Sequence, residues 1–192
     1  MRRKITVSPY VYILLPAAFL LIPLRWILGC GLAVVVHEWG HYFALRLCKI
    51  PIWALEITPF GIRMHTANLG NREGLICSLA GPVSGTLLLC LSRYMPYAAL
   101  CAFAQTVFNL LPIYPLDGGR ALRAGLTMIQ LTGKAITAIE DLLFIIIIGA
   151  SVYLLWRLSW GIGPTIVLCG IFAQKFLANR GNNRYNRGDN VF

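Results

Sequence analysis

The chain has 192 residues, of which 58% are hydrophobic and only 12% charged, with a formal net charge of +10. Soluble domains average about 45–50% apolar and about 25% charged residues, so this composition excludes an ordinary water-soluble globule and points to a protein embedded in a bilayer. The basic residues sit in short loops between apolar runs rather than in one patch with interleaved aromatics, which argues for topology signals and against nucleic acid as a partner.

Taken in chain order, Met1-Arg2-Arg3-Lys4 leads into an apolar stretch with no small-residue cleavage pattern, so no cleavable signal peptide is expected. Six stretches approach the length of about 17–25 apolar residues that a membrane-spanning helix needs. They run from about Pro9 to Leu24, Trp26 to Leu47, Leu75 to Leu91, Pro96 to Leu111, Ala135 to Trp156, and Leu158 to Ala178. With a cytoplasmic N-terminus, the inner side holds Arg2, Arg3, Lys4, Lys49, Arg63, Arg72, Arg120, Arg123, Lys134, Lys175, Arg180, Arg184 and Arg187, and the outer side only Arg25, Arg93 and Arg157. That asymmetry is what the positive-inside rule requires of six spans with both ends inside. The fold class expected is therefore an all-α polytopic membrane protein.

One connection breaks the helical pattern. Trp53, Leu55 and Ile57 alternate with Ala54, Glu56 and Thr58; after Pro59-Phe60-Gly61, Ile62 and Met64 alternate with Arg63 and His65. A period of two around a Pro/Gly break predicts a small interfacial β-hairpin between spans two and three. The tail from Asn179 to Phe192 is rich in Asn, Arg and Gly and reads as disordered, and no internal repeat is visible. Cys30, Cys48, Cys77, Cys90, Cys101 and Cys169 form no CxxC pair, and they read as small buried hydrophobes, not a disulfide framework.

Span two carries the chemistry. The stretch Val34 to His41 reads VVVHEWGH. Residues i and i+4 share a helix face, so His37 and His41 can hold one metal ion, with Glu38 beside them to take a proton from water. An HExxH helix is the zinc-metalloprotease arrangement, in which zinc acidifies water and the carboxylate serves as acid/base. The competing reading is a polar network between helices. It must place two imidazoles and a carboxylate in an apolar span, where charges cost at least about 2.5–3.5 kcal/mol each and are functional by default.

A catalytic zinc takes three protein ligands and keeps one open position. Asp117 is the best third ligand. It follows Asn109-Leu110-Leu111-Pro112-Ile113-Tyr114-Pro115-Leu116 and precedes Gly118-Gly119, a broken helix of the kind tolerated at membrane depth only where it is buried or lines a wet cavity. Its other reading is a turn or cap before two glycines. Asn109 is a candidate donor to a substrate backbone or an oxyanion. His65, on the hairpin, reads as a surface or supporting group rather than a ligand. Glu140 and Asp141 read as acids favoured at an interfacial helix N-terminus. Leu79-Ala80-Gly81-Pro82-Val83-Ser84-Gly85 suits close helix packing.

HEWGH in one span, LAGP in the next and NLLPIYPLDGG after the fourth resemble the site-2 protease family of intramembrane zinc metalloproteases, and within it the bacterial sporulation branch, the stage IV sporulation protein FB type. The resemblance spans the chain to about Ala178. It implies that His37, His41 and Asp117 bind one zinc ion, that Glu38 is the acid/base, and that the catalytic core covers about residues 26–119 of a 1–178 intramembrane domain. It also implies a bacterial membrane location and a membrane-associated protein substrate, in that branch a sporulation sigma-factor precursor, with a membrane regulatory protein as a further partner. Many members carry a nucleotide-sensing CBS domain after the last span, where this chain has only its tail of residues 179–192. The rival functions are a membrane metal transporter and a catalytically silent relative that binds client helices.

Overall fold

The computed structural model describes residues 4–58, 61–158 and 190–191. Strand β1 (Lys4–Val7) leads into α1 (Pro9–Leu21) and then α2 (Leu24–Leu47). Strands β2 (Ile52–Thr58) and β3 (Gly61–Thr66) follow, then α3 (Asn71–Leu87) with a 3-10 turn over Leu88–Leu91. After α4 (Pro96–Asn109) come α5 (Asp117–Met128), α6 (Gly133–Leu158) and a two-residue strand β4 (Asn190–Val191). The first five expected spans thus each correspond to a helix. The sixth, from Leu158 to Ala178, lies beyond Leu158 outside the described residues, as do Pro59 and Phe60 of the hairpin turn.

Helices α2, α3, α4 and α5 form the packed centre. Their contacts are made by small side chains: Ala33 and Ala44 of α2, Cys77 and Ser78 of α3, Ala98, Ala99 and Ala102 of α4, and Ala121 of α5 are all buried. Small residues let helix backbones approach closely where no hydrophobic force drives helices together. Large apolar side chains lie on the outside instead, among them Leu20, Trp39, Phe43, Val83, Leu142 and Ile145. This inside-out distribution suits a lipid surround and would be an aggregation liability in water. By length and composition, two stretches among the described residues are long and apolar enough to cross a membrane, Asn71–Leu91 and Gly133–Tyr153. Helix α2 is 24 residues long but interrupts its apolar run with the HEWGH side chains, and α1 has only 13 residues.

Three features depart from the sequence reading. The hairpin forms, with Ile57 opposite Ile62 and Leu55 opposite Met64, but it is the middle of a four-stranded sheet. Strand β1 pairs parallel to β2, and β4 pairs antiparallel to the end of β3 at His65 and Thr66, so the fold is helical with a small sheet rather than all-α with a lone hairpin. The tail, read as disordered, supplies that last strand through Asn190 and Val191. Next, the basic stretch after the fourth span is itself a helix, α5, which begins at Asp117. Arg120 and Arg123 interrupt its apolar face, so the stretch does not form a continuous apolar run. Last, Cys30 of α2 and Cys101 of α4 are joined as a disulfide, against the expectation of unpaired cysteines, although Cys77 is buried and free as expected. Their α-carbons come within 5.1 Å because Gly29 lets α2 press against the backbone of Tyr97 and Ala98.

Candidate metal centre

Helix periodicity brings His37 and His41 to one face of α2, and both are buried, at 3% and 6% exposure. Their Nε2 atoms lie 3.2 Å apart. Asp117 enters from the other side of the bundle at the first turn of α5, with Oδ2 3.0 Å from His37 Nε2 and 3.2 Å from His41 Nε2. These three donors form a potential metal-binding cluster among the described residues. Zinc–ligand bonds of about 2.0–2.2 Å at tetrahedral angles put ligand atoms about 3.3–3.5 Å apart, close to the spacing found here. Two imidazole nitrogens and a carboxylate, all buried and aimed at one point, fit zinc by chemistry as well as by distance.

The surroundings fix the ligands. His41 Nδ1 lies 2.7 Å from the Cys77 carbonyl of α3, which places the proton on Nδ1 and leaves the Nε2 lone pair facing the cluster. That contact needs α3 close by, and glycines provide it. A Cβ at Gly81 would run into the His41 ring, and one at Gly40 into Ser84 and the Ala80 carbonyl. Ser84 Oγ lies 2.9 Å from the Val36 carbonyl and 2.7 Å from that of Gly81, tying the two helices at the motif. The small stretch of span three therefore shapes the site, as its composition suggests. Asp117 is held by a similar device: Cβ atoms at Gly118 and Gly119 would collide with the backbone of Leu110, Leu111, Ile113 and Tyr114, so only glycines let the first turn of α5 fold against the Pro112–Pro115 loop. Asp117 is not merely a cap, since Leu116 holds the cap position and makes no side-chain bond.

Two further groups reach the cluster. The Asn109 side-chain amide nitrogen lies 3.2 Å from His37 Nε2. Glu38, next to His37, accepts a hydrogen bond at Oε1 from the backbone N–H of Ile62, 3.1 Å away at the start of β3. Gly61, at φ 137°, sits against the same carboxylate, so close that a side chain there would strike it. Neither the Ile62 amide nor the Cys77 carbonyl is visible to sequence reasoning, because any residue type supplies a backbone group. His65 stays apart on β3, 3.9 Å from Glu56, in keeping with a surface role. Glu140 does not act as an interfacial helix-end acid; it is buried in α6 and paired with Arg123 of α5.

An HExxH helix whose two histidines meet a carboxylate inside a bundle of small-residue helices has the donor set and neighbouring acid found in zinc metallohydrolases. The comparisons with known proteins agree with that class. Residues 64–154 match the model of peptidase family M50, a stretch that holds Asp117 but begins after HEWGH. A zinc metalloprotease of Methanocaldococcus jannaschii is 28% identical over 106 residues, which cover 48% of this chain and 31% of the relative. Stage IV sporulation protein FB of Bacillus subtilis is 29% identical over 140 residues, covering 62% of this chain and 46% of the relative. The matches thus span less than half the length of these relatives. The fold resembles that of the site-2 protease from Methanocaldococcus jannaschii with a TM-score of 0.61 and 21% identity, over 94% of this chain and 92% of that one. The resemblance to the site-2 protease family, and within it to the stage IV sporulation protein FB type, is borne out.

Proposed function

We propose that this protein is an intramembrane zinc metalloprotease that hydrolyses a peptide bond of a membrane-associated protein at or near the cytoplasmic face. The convergence of His37, His41 and Asp117 from two distant elements carries this reading. The proposed topology of six spans with both ends cytoplasmic would put the cluster toward the inner side, since HEWGH lies in the second half of α2 and Asp117 follows α4. Residues 1–178 form the protease domain. The chain is similar to stage IV sporulation protein FB, and the family resemblance of the HEWGH and NLLPIYPLDGG motifs makes a sporulation sigma-factor precursor in the bacterial membrane, with a regulatory membrane protein, the proposed substrate and partner.

His37, His41 and Asp117 would hold the zinc ion, which supplies a Lewis acid for the scissile carbonyl and acidifies water. Glu38 takes the proton from the attacking water and returns it to the leaving amide nitrogen. Asn109, beside His37, is placed to donate its amide to the oxygen on which negative charge develops.

The hairpin presents the substrate. A peptide bond inside a helix is shielded, so the segment must be extended to be cut. β1 (Lys4–Val7) is one outer edge of the sheet, and because β4 covers only the end of β3, its Gly61–Met64 part is a second open edge among the described residues. The Ile62 N–H on that edge points at Glu38. A substrate strand added there would lie beside the acid/base.

The test pairs zinc content with cleavage of a co-expressed membrane-tethered precursor, in wild type and Glu38→Gln. About one zinc per chain in both, with cleavage in wild type alone, is expected. A folded wild type without zinc overturns the reading. Zinc with equal precursor processing in both proteins would assign the centre to metal transport or client binding instead.

A further inference from the structure

Helix α6 lies outside the cluster, yet its apolar run carries a buried acid. Glu140 is 5% exposed, and both of its oxygens accept hydrogen bonds from Arg123 of α5, from Nε at 2.9 Å and Nη2 at 2.6 Å. This fork-to-fork pairing is the geometry in which an arginine is most firmly oriented. Across the guanidinium, its ζ-carbon sits 4.5 Å from the centre of the Tyr114 ring. Tyr114 belongs to the loop between α4 and α5, three residues before Asp117. Its backbone nitrogen packs against Gly119 in the same turn that presents Asp117. Glu140, Arg123 and Tyr114 thus form one continuous line from the fifth span to the loop that delivers the third ligand.

A plain helix-to-helix ion pair would bind α5 to α6 and end there. The stacked tyrosine makes the difference, because it extends the contact onto the loop rather than onto another helix. We propose that Glu140 and Arg123 are positioning residues for Asp117: by clamping the Tyr114 ring they hold the Pro112–Leu116 loop in register, so that affinity for the metal depends on a charge in the fifth span. The proposal rests on the zinc-binding reading above. Groups that orient a metal ligand typically change affinity by about tenfold to a hundredfold when removed.

The experiment measures zinc affinity by competition with a chelator, and the thermal midpoint of the zinc-free protein, on the full chain in detergent. Tyr114→Leu removes the ring face and leaves the ion pair. It should keep the zinc-free midpoint and weaken zinc binding about tenfold or more. Tyr114→Phe, which keeps the ring, should bind zinc as wild type does. The exchange Arg123→Glu with Glu140→Arg restores a pair but moves the guanidinium off Tyr114; its midpoint should recover relative to Glu140→Gln while zinc binding stays weak. Wild-type zinc affinity in Tyr114→Leu, or equal losses in Tyr114→Phe and Tyr114→Leu, overturns the proposal and leaves the metalloprotease reading standing. Failure of wild type itself to bind zinc overturns both.

Discussion

Two of the three candidate ligands, His41 and Asp117, are held where a glycine admits a neighbour. Gly81 is pressed against the His41 ring, and Gly119 against the Ile113–Tyr114 backbone. Gly81→Ala must displace the imidazole or push α3 away, and overpacking of this kind costs about 1–3 kcal/mol. The expected outcome is loss of bound zinc from a chain that still folds, read as zinc per purified molecule. Gly119→Ala meets backbone rather than a movable side chain, so a larger drop in thermal midpoint should accompany its zinc loss. Of these residues, His37, Glu38, His41 and Asp117 stand out in the sequence because ionisable groups are costly in an apolar span and must be explained. Gly81 and Gly119 do not stand out, since a glycine in sequence shows flexibility or a turn but not which atom it makes room for.

Among the elements, the hairpin is the one that reaches the acid beside the cluster. Its alternating pattern is legible because side chains on a strand repeat every second residue. What the pattern does not reveal is that the β3 edge reaches α2, where the Ile62 amide meets Glu38. Ile62→Pro removes that donor and closes the edge to an added strand. Zinc content should remain as in wild type while precursor cleavage is lost; unchanged cleavage would exclude strand addition at β3. Ile57→Pro tests the opposite side of the hairpin and should block cleavage for another reason. The Ile57 carbonyl accepts from the Ser8 amide, so a kink there would loosen β1 from β2. Helix α5 is the element that composition concealed. Its glycines and arginines depress hydropathy, but the same residues make the turn at Asp117 and the pair with Glu140.

For the whole molecule, the inside-out placement of small and large apolar residues and the uneven distribution of arginine and lysine argue for one membrane orientation. A protease-sensitive tag inserted after Arg93, in the connection before α4, should be cut from outside intact cells. A tag after Lys134, at the start of α6, should be cut only once the membrane is opened. The reverse pattern would invert the topology and move the cluster to the outer side.

Composition and periodicity by themselves pointed to a lipid surround, placed the described helices other than α5 to within a few residues, and put two histidines on one helix face with a carboxylate beside them. These are local properties, set by which residues lie within one or two turns of each other. The tertiary structure decided the rest: that Asp117, 76 residues beyond His41, closes the cluster, that the Cys77 carbonyl fixes an imidazole, that the hairpin edge touches Glu38, and that a buried acid in α6 reaches the ligand loop through Arg123 and Tyr114. Contacts of this kind depend on how closely two helices approach, which small residues permit but do not aim. Only the packing of the whole bundle selects which atoms meet.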